Sequence, residues 1–306
     1  QALNSDIFAF SECGNTTTQS IKDILDEILN LNTEEGWFII KKDWDDLILA
    51  SKFPILEHWP DENNGVKAMH PCLIDLPNDL YATDLLVINS HMSCCGSDSL
   101  RQIQADDFVN FILDAKSEGG AIDLAENTPF VLCGDLNLVG YAQQLTTLIT
   151  GEIINTPLFG QGGGMNWSNN NLKDQICWNT EQPLSYTWRD ISPNEDVPGS
   201  YPHGRLDFII FSDDVMYPEK SFSIDTELMS QQTLNTNNLF VNDSKASDHL
   251  AITTDFSIPT LLSNHPNKIE KKKVNHFDIL GKDNLHKKFI IEIYDNGEVE
   301  KKYFIK

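Results

Sequence analysis

The sequence predicts a mixed-sheet α/β sandwich, and three observations predict it. Short apolar runs that read as buried strands alternate with amphipathic helical stretches along most of the chain. Several successive strand-like runs have no helix between them, so their connections suit antiparallel as well as parallel pairing. Two runs adjoin polar clusters: FVLCGDLN sets Asp135 and Asn137 behind a strand, and ASDHLAITTDF sets Ser247-Asp248-His249 before an alternating one. A strand end in such a scaffold can hold several groups rigidly around one small ligand.

The elements follow in order. Asp6 to Glu12 reads as a buried strand ending in a carboxylate. A helix is expected over 19–31, with Ser20 and Asp23 in capping-box spacing and Ile21, Ile24, Leu25, Ile28 and Leu29 on one face. Residues 36–41, 45–50, 66–75 and 83–90 read as strands, the last delivering His91. A helix over 99–116 starts with Ser99 and Gln102 as a second capping box and turns Ile103, Phe108, Phe111 and Ile112 to the core. A strand over 129–134 presents Asp135 and Asn137, and a helix over 140–150 follows. Residues 151–202 are rich in Gly, Asn, Ser and Pro and read as loop; Trp167, Trp178, Tyr186 and Tyr201 within them either stack on a ligand or pin the loop to the core. Strands resume at 205–212 and 249–256.

The domain is expected to span 1–259, with a linker over 260–268 and a small β module over 269–306. In that module Phe289 to Tyr294 and Val299 to Ile305 flank Asp295-Asn296-Gly297, a favoured hairpin turn. Charge changes sign with the module. Residues 268–306 carry 10 lysines against 7 acids, whereas the body carries 12 basic against 39 acidic side chains, within a total net charge of -24. So acidic a body repels nucleic acid at long range and disfavours it as a partner; salt adaptation explains the charge equally well. No run is long and apolar enough for a transmembrane segment. Gln1-Ala2-Leu3 reads as the end of a helix already under way, so the native N-terminus is expected upstream. Of six cysteines, Cys13 and Cys133 read as core thiols; a disulfide among Cys72, Cys94, Cys95 and Cys177 is open.

Single motifs here have bland readings. Asp135-x-Asn137 after a strand is a common turn, Ser247-Asp248 can simply open a strand, and His91 can be a satisfied core histidine. The ordered set Glu12, His91, Asp135/Asn137, Thr187-Trp188-Arg189, Arg205-Leu206-Asp207 and Asp248-His249 points to chemistry. A hard cation takes carboxylate oxygens, which Glu12 and Asp248 can supply. Asp135, steadied by Asn137, can orient or deprotonate water. A histidine can neutralise charge on phosphoryl oxygens, and Asp207 can fix the tautomer of His249. The chain has only three arginines, and Arg189 and Arg205 lie in these phrases, where a planar fork suits a carboxylate or phosphate.

The phrases DIFAFSEC, LLVINSHMS, FVLCGDLNLVG, SYTWRD, HGRLDFIIF and ASDHLAITTDF resemble the endonuclease/exonuclease/phosphatase superfamily, the deoxyribonuclease-I-like fold, in its order over residues 5–257. The resemblance implies a four-layer α/β sandwich of two packed sheets flanked by helices. It also implies phosphoester hydrolysis dependent on Mg2+, with Mn2+ or Ca2+ as alternatives. By motif, Glu12 and Asp248 belong to the metal set, Asp135 and Asn137 serve the water and substrate, and His249, paired with Asp207, acts at the phosphate with His91. The family opens with a strand carrying an asparagine of the site. No such strand precedes Leu3 and Asn4 is misplaced for the role, so the chain is expected to lack a core-sheet element. The tail, KKKVNHFDILGKD followed by FIIEIYDNGEVEKKYFIK, resembles a type IX secretion sorting domain. That implies export by secretion machinery and a secreted or cell-surface location. The combined expectation is a phosphoesterase acting on a small or lipid-linked phosphoester; an extracellular nuclease of the same fold and a non-catalytic binding protein are the alternatives.

Overall fold

The computed structural model describes residues 3–31, 33–42, 46–60, 67–190 and 201–261, and the strands 273–278, 289–294 and 299–303. Gln1–Thr260 and Leu261–Lys306 are two compact units. The expected helix end at Gln1-Ala2, most of the linker and the Asp295-Asn296-Gly297 turn lie outside the described residues.

Along the first unit run β1 (Ile7–Phe10), α1 (Thr18–Ile28), β2 (Phe38–Lys41), β3 (Ile48–Ser51), β4 (Ile55–His58), β5 (Met69–Ile74), β6 (Leu85–His91), α2 (Asp98–Ala115) and β7 (Phe130–Asp135). Then come α3 (Gln143–Thr150), α4 (Thr156–Phe159), β8 (Lys173–Asp174), β9 (Trp178–Asn179), β10 (Asp207–Phe211), β11 (Tyr217–Ser223), α5 (Gln231–Asn237) and β12 (Ile252–Ser257). They form a six-stranded sheet in the order β4-β5-β6-β7-β10-β8 and two three-stranded sheets, β1-β3-β2 and β12-β11-β9. The large sheet is mixed: β6 and β7 are parallel and its other pairings antiparallel.

The period of two in the strands builds the layers. Leu86 and Ile88 of β6, Phe130 and Leu132 of β7, and Phe208 and Ile210 of β10 pack on Phe108 and Ile112 of α2 and Leu148 of α3. The alternate residues Val87, Val131, Ile209 and Phe211 face the other way, against Leu49 and Ile7 of one small sheet and Ile252 and Phe256 of the other. The far side of the first small sheet carries Phe8, Phe10 and Ala50 against Leu25 and Ile21 of α1. The result is the expected four-layer α/β sandwich, its second sheet layer divided into two three-stranded pieces. Each fully buried Leu, Ile or Phe contributes roughly 1.5–3 kcal/mol, so this alternation fixes which side chains reach the strand ends.

Some local readings are corrected. The cap of α1 is Thr17, whose Oγ1 accepts from the Ser20 amide at 3.1 Å, so Ser20 is inside the helix and not its cap. Helix α2 starts after Ser97, and Gln102, expected to cap, instead donates to Asp106 and Thr147. Strand β11 and helix α5 have no sequence signal. YPEKSFS is polar, contains Pro218 and bulges beside it; QQTLNTN buries only Leu234. Tertiary pairing with β12 and the Ser230 cap make these segments regular. In the second unit β13 (Lys273–Asp278), β14 (Phe289–Tyr294) and β15 (Val299–Tyr303) form an antiparallel sheet in that order.

Candidate active site

Three neighbouring strands of the large sheet bring their polar ends into line. The parallel register of β6 and β7 sets His91 beside Asp135, and the antiparallel register of β7 and β10 sets Asp135 beside Asp207. Beneath them the strands crowd together. Gly134 has φ +128, and a Cβ there would lie 2.2 Å from the Ser90 carbonyl oxygen, so only glycine fits.

His249 joins from the segment ahead of β12. Thr187 and Arg189 bracket it in a short ladder: the Leu250 amide donates to the Thr187 carbonyl at 2.7 Å, and the Arg189 amide to the Asp248 carbonyl at 3.0 Å. Thr187 ties this ladder to β10, its Oγ1 accepting from the Leu206 and Asp207 amides at 3.0 and 2.9 Å. Trp188 Nε1 donates to Asp248 Oδ2 at 2.9 Å.

Asp135 is the centre. Its Oδ1 accepts from the Asn137 amide and its Oδ2 from Asn137 Nδ2, both at 2.8 Å. Asn137, at φ +49, also donates to the Met92 carbonyl at 2.9 Å. Two imidazoles converge on Asp135 Oδ2, His91 Nε2 at 3.8 Å and His249 Nε2 at 3.9 Å. Each imidazole is held from behind: His249 Nδ1 lies 2.8 Å from Asp207 Oδ2, and His91 Nδ1 lies 2.7 Å from Asp46 Oδ2. The separations to Asp135 exceed hydrogen-bonding range, which leaves both Nε2 atoms for a third oxygen. Glu12, at φ +56 just past β1, places Oε1 3.8 Å from His91 Nε2 and is largely exposed.

The surroundings polarise the array. Burial raises the Asp135 carboxyl to about 6, helped by the Asp207 charge and opposed by the Asn137 amide and the two histidines. At His249 burial lowers the value, but the Asp207 hydrogen bond and the charges of Asp207, Asp135 and Asp248 outweigh it and raise the imidazole to about 9. At neutral pH Asp135 is therefore ionised and His249 protonated. A carboxylate that takes a proton and an imidazolium that donates one lie within one small volume.

Of the residues expected at the site, the structure brings together Glu12, His91, Asp135, Asn137, Asp207 and His249, with Asp248 on the adjoining ladder. Arg189 and Arg205 are not placed with them, and their expected role as substrate ligands is corrected. Arg189 is buried, with Nη1 on Asp225 and Glu227 and Nη2 on Ser244. Arg205 is bidentate on Asp174 and stacks on Phe208 at 4.1 Å. Both guanidinium groups serve internal ion pairs. Two loop aromatics likewise pin backbone or core groups: Trp167 donates to the Thr128 carbonyl at 2.7 Å and Tyr186 to Asp225 at 2.5 Å, while Trp178 and Tyr201 are exposed. Asp46 was not singled out in sequence. It is one of three aspartates in KKDWDDLIL, and nothing in that string distinguishes the one that meets His91.

For a hard cation, Glu12 is the accessible carboxylate beside this array, and a cation that keeps several waters needs only one or two such ligands. Asp135, Asp207 and His249 also offer ligand atoms within 4.8 Å of one another. His249 Nδ1 is already engaged by Asp207, so these three suit acid–base work better than an oxygen-seeking ion.

No family model matches the sequence, and no curated protein matches it. Solved structures do match. The chain is similar in fold to a mannosyl-6-phosphatase of Bacteroides thetaiotaomicron. The TM-score is 0.50 at 17% identity, over 84% of this chain and 86% of that one. The truncated TDP2 of Caenorhabditis elegans matches at TM-score 0.47 and 16% identity, over 82% and 83% of the two chains. The human Nocturnin catalytic domain matches at 0.45 and 14%, over 84% and 82%. At such identity the mannosyl-6-phosphatase match speaks to the fold alone. No helix among the described residues is long and apolar enough to cross a membrane.

Proposed function

We propose that the chain is a divalent-metal-dependent phosphoesterase that hydrolyses a small or lipid-linked phosphoester by in-line attack of water. One observation carries this reading: Asp135 stands between two imidazoles, each backed by its own carboxylate. Asp135 takes the proton of the attacking water, and Asn137 holds both of its oxygens in place. His249, protonated through Asp207, donates its Nε2–H to a phosphoryl oxygen as negative charge grows there. His91, oriented by Asp46 through Nδ1, turns Nε2 to the same space from the neighbouring strand. Glu12 would hold Mg2+, with Asp248 as a further carboxylate. When bound, the ion would supply Lewis-acid polarisation of the phosphoryl group.

The test is release of p-nitrophenol from bis-p-nitrophenyl phosphate and p-nitrophenyl phosphate, and of inorganic phosphate from a sugar phosphate, by the full chain, with Mg2+ or with EDTA. Metal-dependent turnover lost in Asp135→Asn supports the reading and separates diester from monoester. Absence of turnover on every phosphoester in Mg2+, Mn2+ and Ca2+ sinks it. Plasmid DNA joins the panel to test the nuclease alternative, which the acidic body disfavours.

Export is part of the same reading. Its support is the resemblance of the tail sequence to a type IX sorting domain. Removal of residues 269–306 should then keep the protein inside the producing cell, and equal release with and without the tail would end that part.

A further inference from the structure

Cys94 and Cys95 sit in the loop that joins His91 at the end of β6 to the start of α2, and both are exposed. Their Sγ atoms lie 2.7 Å apart. That is not far beyond the ~2.0 Å of an S–S bond. The loop does not reach this arrangement by chance flexibility, because α2 grips it from behind. The fully buried Arg101 donates Nη1 to the Ser93 carbonyl at 2.7 Å and the Cys95 carbonyl at 3.0 Å, and Nη2 to Asp98 at 2.5 Å. Gln104 accepts from the Ser93 amide at 3.1 Å and donates to its hydroxyl at 3.0 Å. Cys95 is held at φ +61, a region that a side-chain-bearing residue rarely adopts.

We propose that Cys94 and Cys95 are a reversible dithiol–disulfide pair, a redox modification site beside the candidate active site that exchanges with low-molecular-weight disulfides. The chemistry balances in two steps. One protein thiolate attacks a small disulfide, forms a mixed disulfide and expels one small thiolate. The neighbouring thiolate then attacks the protein-side sulfur of that mixed disulfide, closes the Cys94–Cys95 bond and expels the second. The two protons left by the cysteines go to the two small thiolates, so the small disulfide is reduced and the pair oxidised.

The covalent geometry makes the bond labile. Adjacent Cα atoms are ~3.8 Å apart across a trans peptide, nearer than the ~4.4 Å at which disulfide-bridged residues usually begin. The ring is therefore strained, and strained, exposed disulfides are the readily reduced ones. The hydrogen bond with Cys95 raises the Cys94 thiol above its ordinary value. Exchange is therefore slow at neutral pH and speeds up as pH rises. The other cysteines are buried or half-buried and take no part. Met92, at the head of the same loop, donates its amide to the Asp135 carbonyl at 2.9 Å and accepts from Asn137, so the loop starts at the candidate site.

The test uses the full chain with oxidised glutathione, read by intact mass and peptide mapping and so independent of any hydrolytic activity. The expected product has lost two hydrogens, within the peptide holding both residues, and reverts in excess reduced glutathione. Cys94→Ser and Cys95→Ser should each keep a glutathione adduct on the remaining thiol, because no neighbour displaces it. A persistent adduct on the native chain, a bridge to any other cysteine or another chain, no modification at all, or a bond that resists reduced glutathione would each overturn the proposal.

Discussion

His91 and His249 present their Nε2 atoms to one oxygen of Asp135, at 3.8 and 3.9 Å, although they lie in segments far apart in the chain. Each is backed at Nδ1 by a different aspartate. The pair is symmetric in connectivity and unequal in setting. His249 feels Asp207, Asp135 and Asp248 together, which holds it protonated to about 9.

That inequality predicts the pH profile. Hydrolysis needs ionised Asp135 and protonated His249, so kcat/KM should rise through about 6 and fall through about 9. Asp207→Asn removes a charge that raises both values, so both limbs should move to lower pH. The linkage has a matching sign. The folded value of His249 lies above its ordinary 6.5, so its stabilising contribution is complete below that pH and is lost as pH rises through about 9. Profiles that coincide for the two proteins would refute this coupling.

Asp135→Asn and His249→Ala should each lower turnover by ~10²–10⁴-fold. Far-UV circular dichroism should stay unchanged, since both groups lie at strand ends and not in the apolar layers. Near-native rates in either variant would remove the residue from the proposed chemistry.

Asp46→Asn should leave Nδ1 of His91 a neutral partner in place of a carboxylate. The expected loss is about tenfold in kcat with little change in KM, smaller than for loss of the imidazole itself. Asp46→Ala should cost more than Asp46→Asn if orientation is its role, and equal losses would point to charge alone.

Arg189→Met separates structure from substrate binding. Removing the guanidinium leaves the buried Asp225 without its cation, and a broken buried pair costs roughly 3–5 kcal/mol. Urea denaturation should show that loss, while KM of the residual folded enzyme stays near native. A raised KM at native stability would return Arg189 to the substrate.

How much of this was legible in sequence depends on the range of the signal. The apolar runs in FVLCGDLN and LLVINSH marked two buried strands, but both faces of each are apolar, so which side chains face α2 and which the second layer was left to the tertiary structure. The phrases also delivered Glu12, His91, Asp135, Asn137, Asp207, Asp248 and His249 as candidates. Strand β11 was illegible because its regularity comes from pairing with β12, and helix α5 because, its Ser230 cap apart, it buries only Leu234 and has no apolar pattern.

What the sequence by itself determined is the layered α/β architecture and the residue types available at the strand ends, since both follow from local periodicity and composition. Only the tertiary structure decided which of them meet. Register between β6, β7 and β10 aligned His91, Asp135 and Asp207. Folding chose Asp46 from three nearby aspartates to meet His91, and turned Arg189 and Arg205 into internal ion pairs. Register, burial and charge pairing are properties of contacts between segments remote in the chain, and no local pattern encodes them.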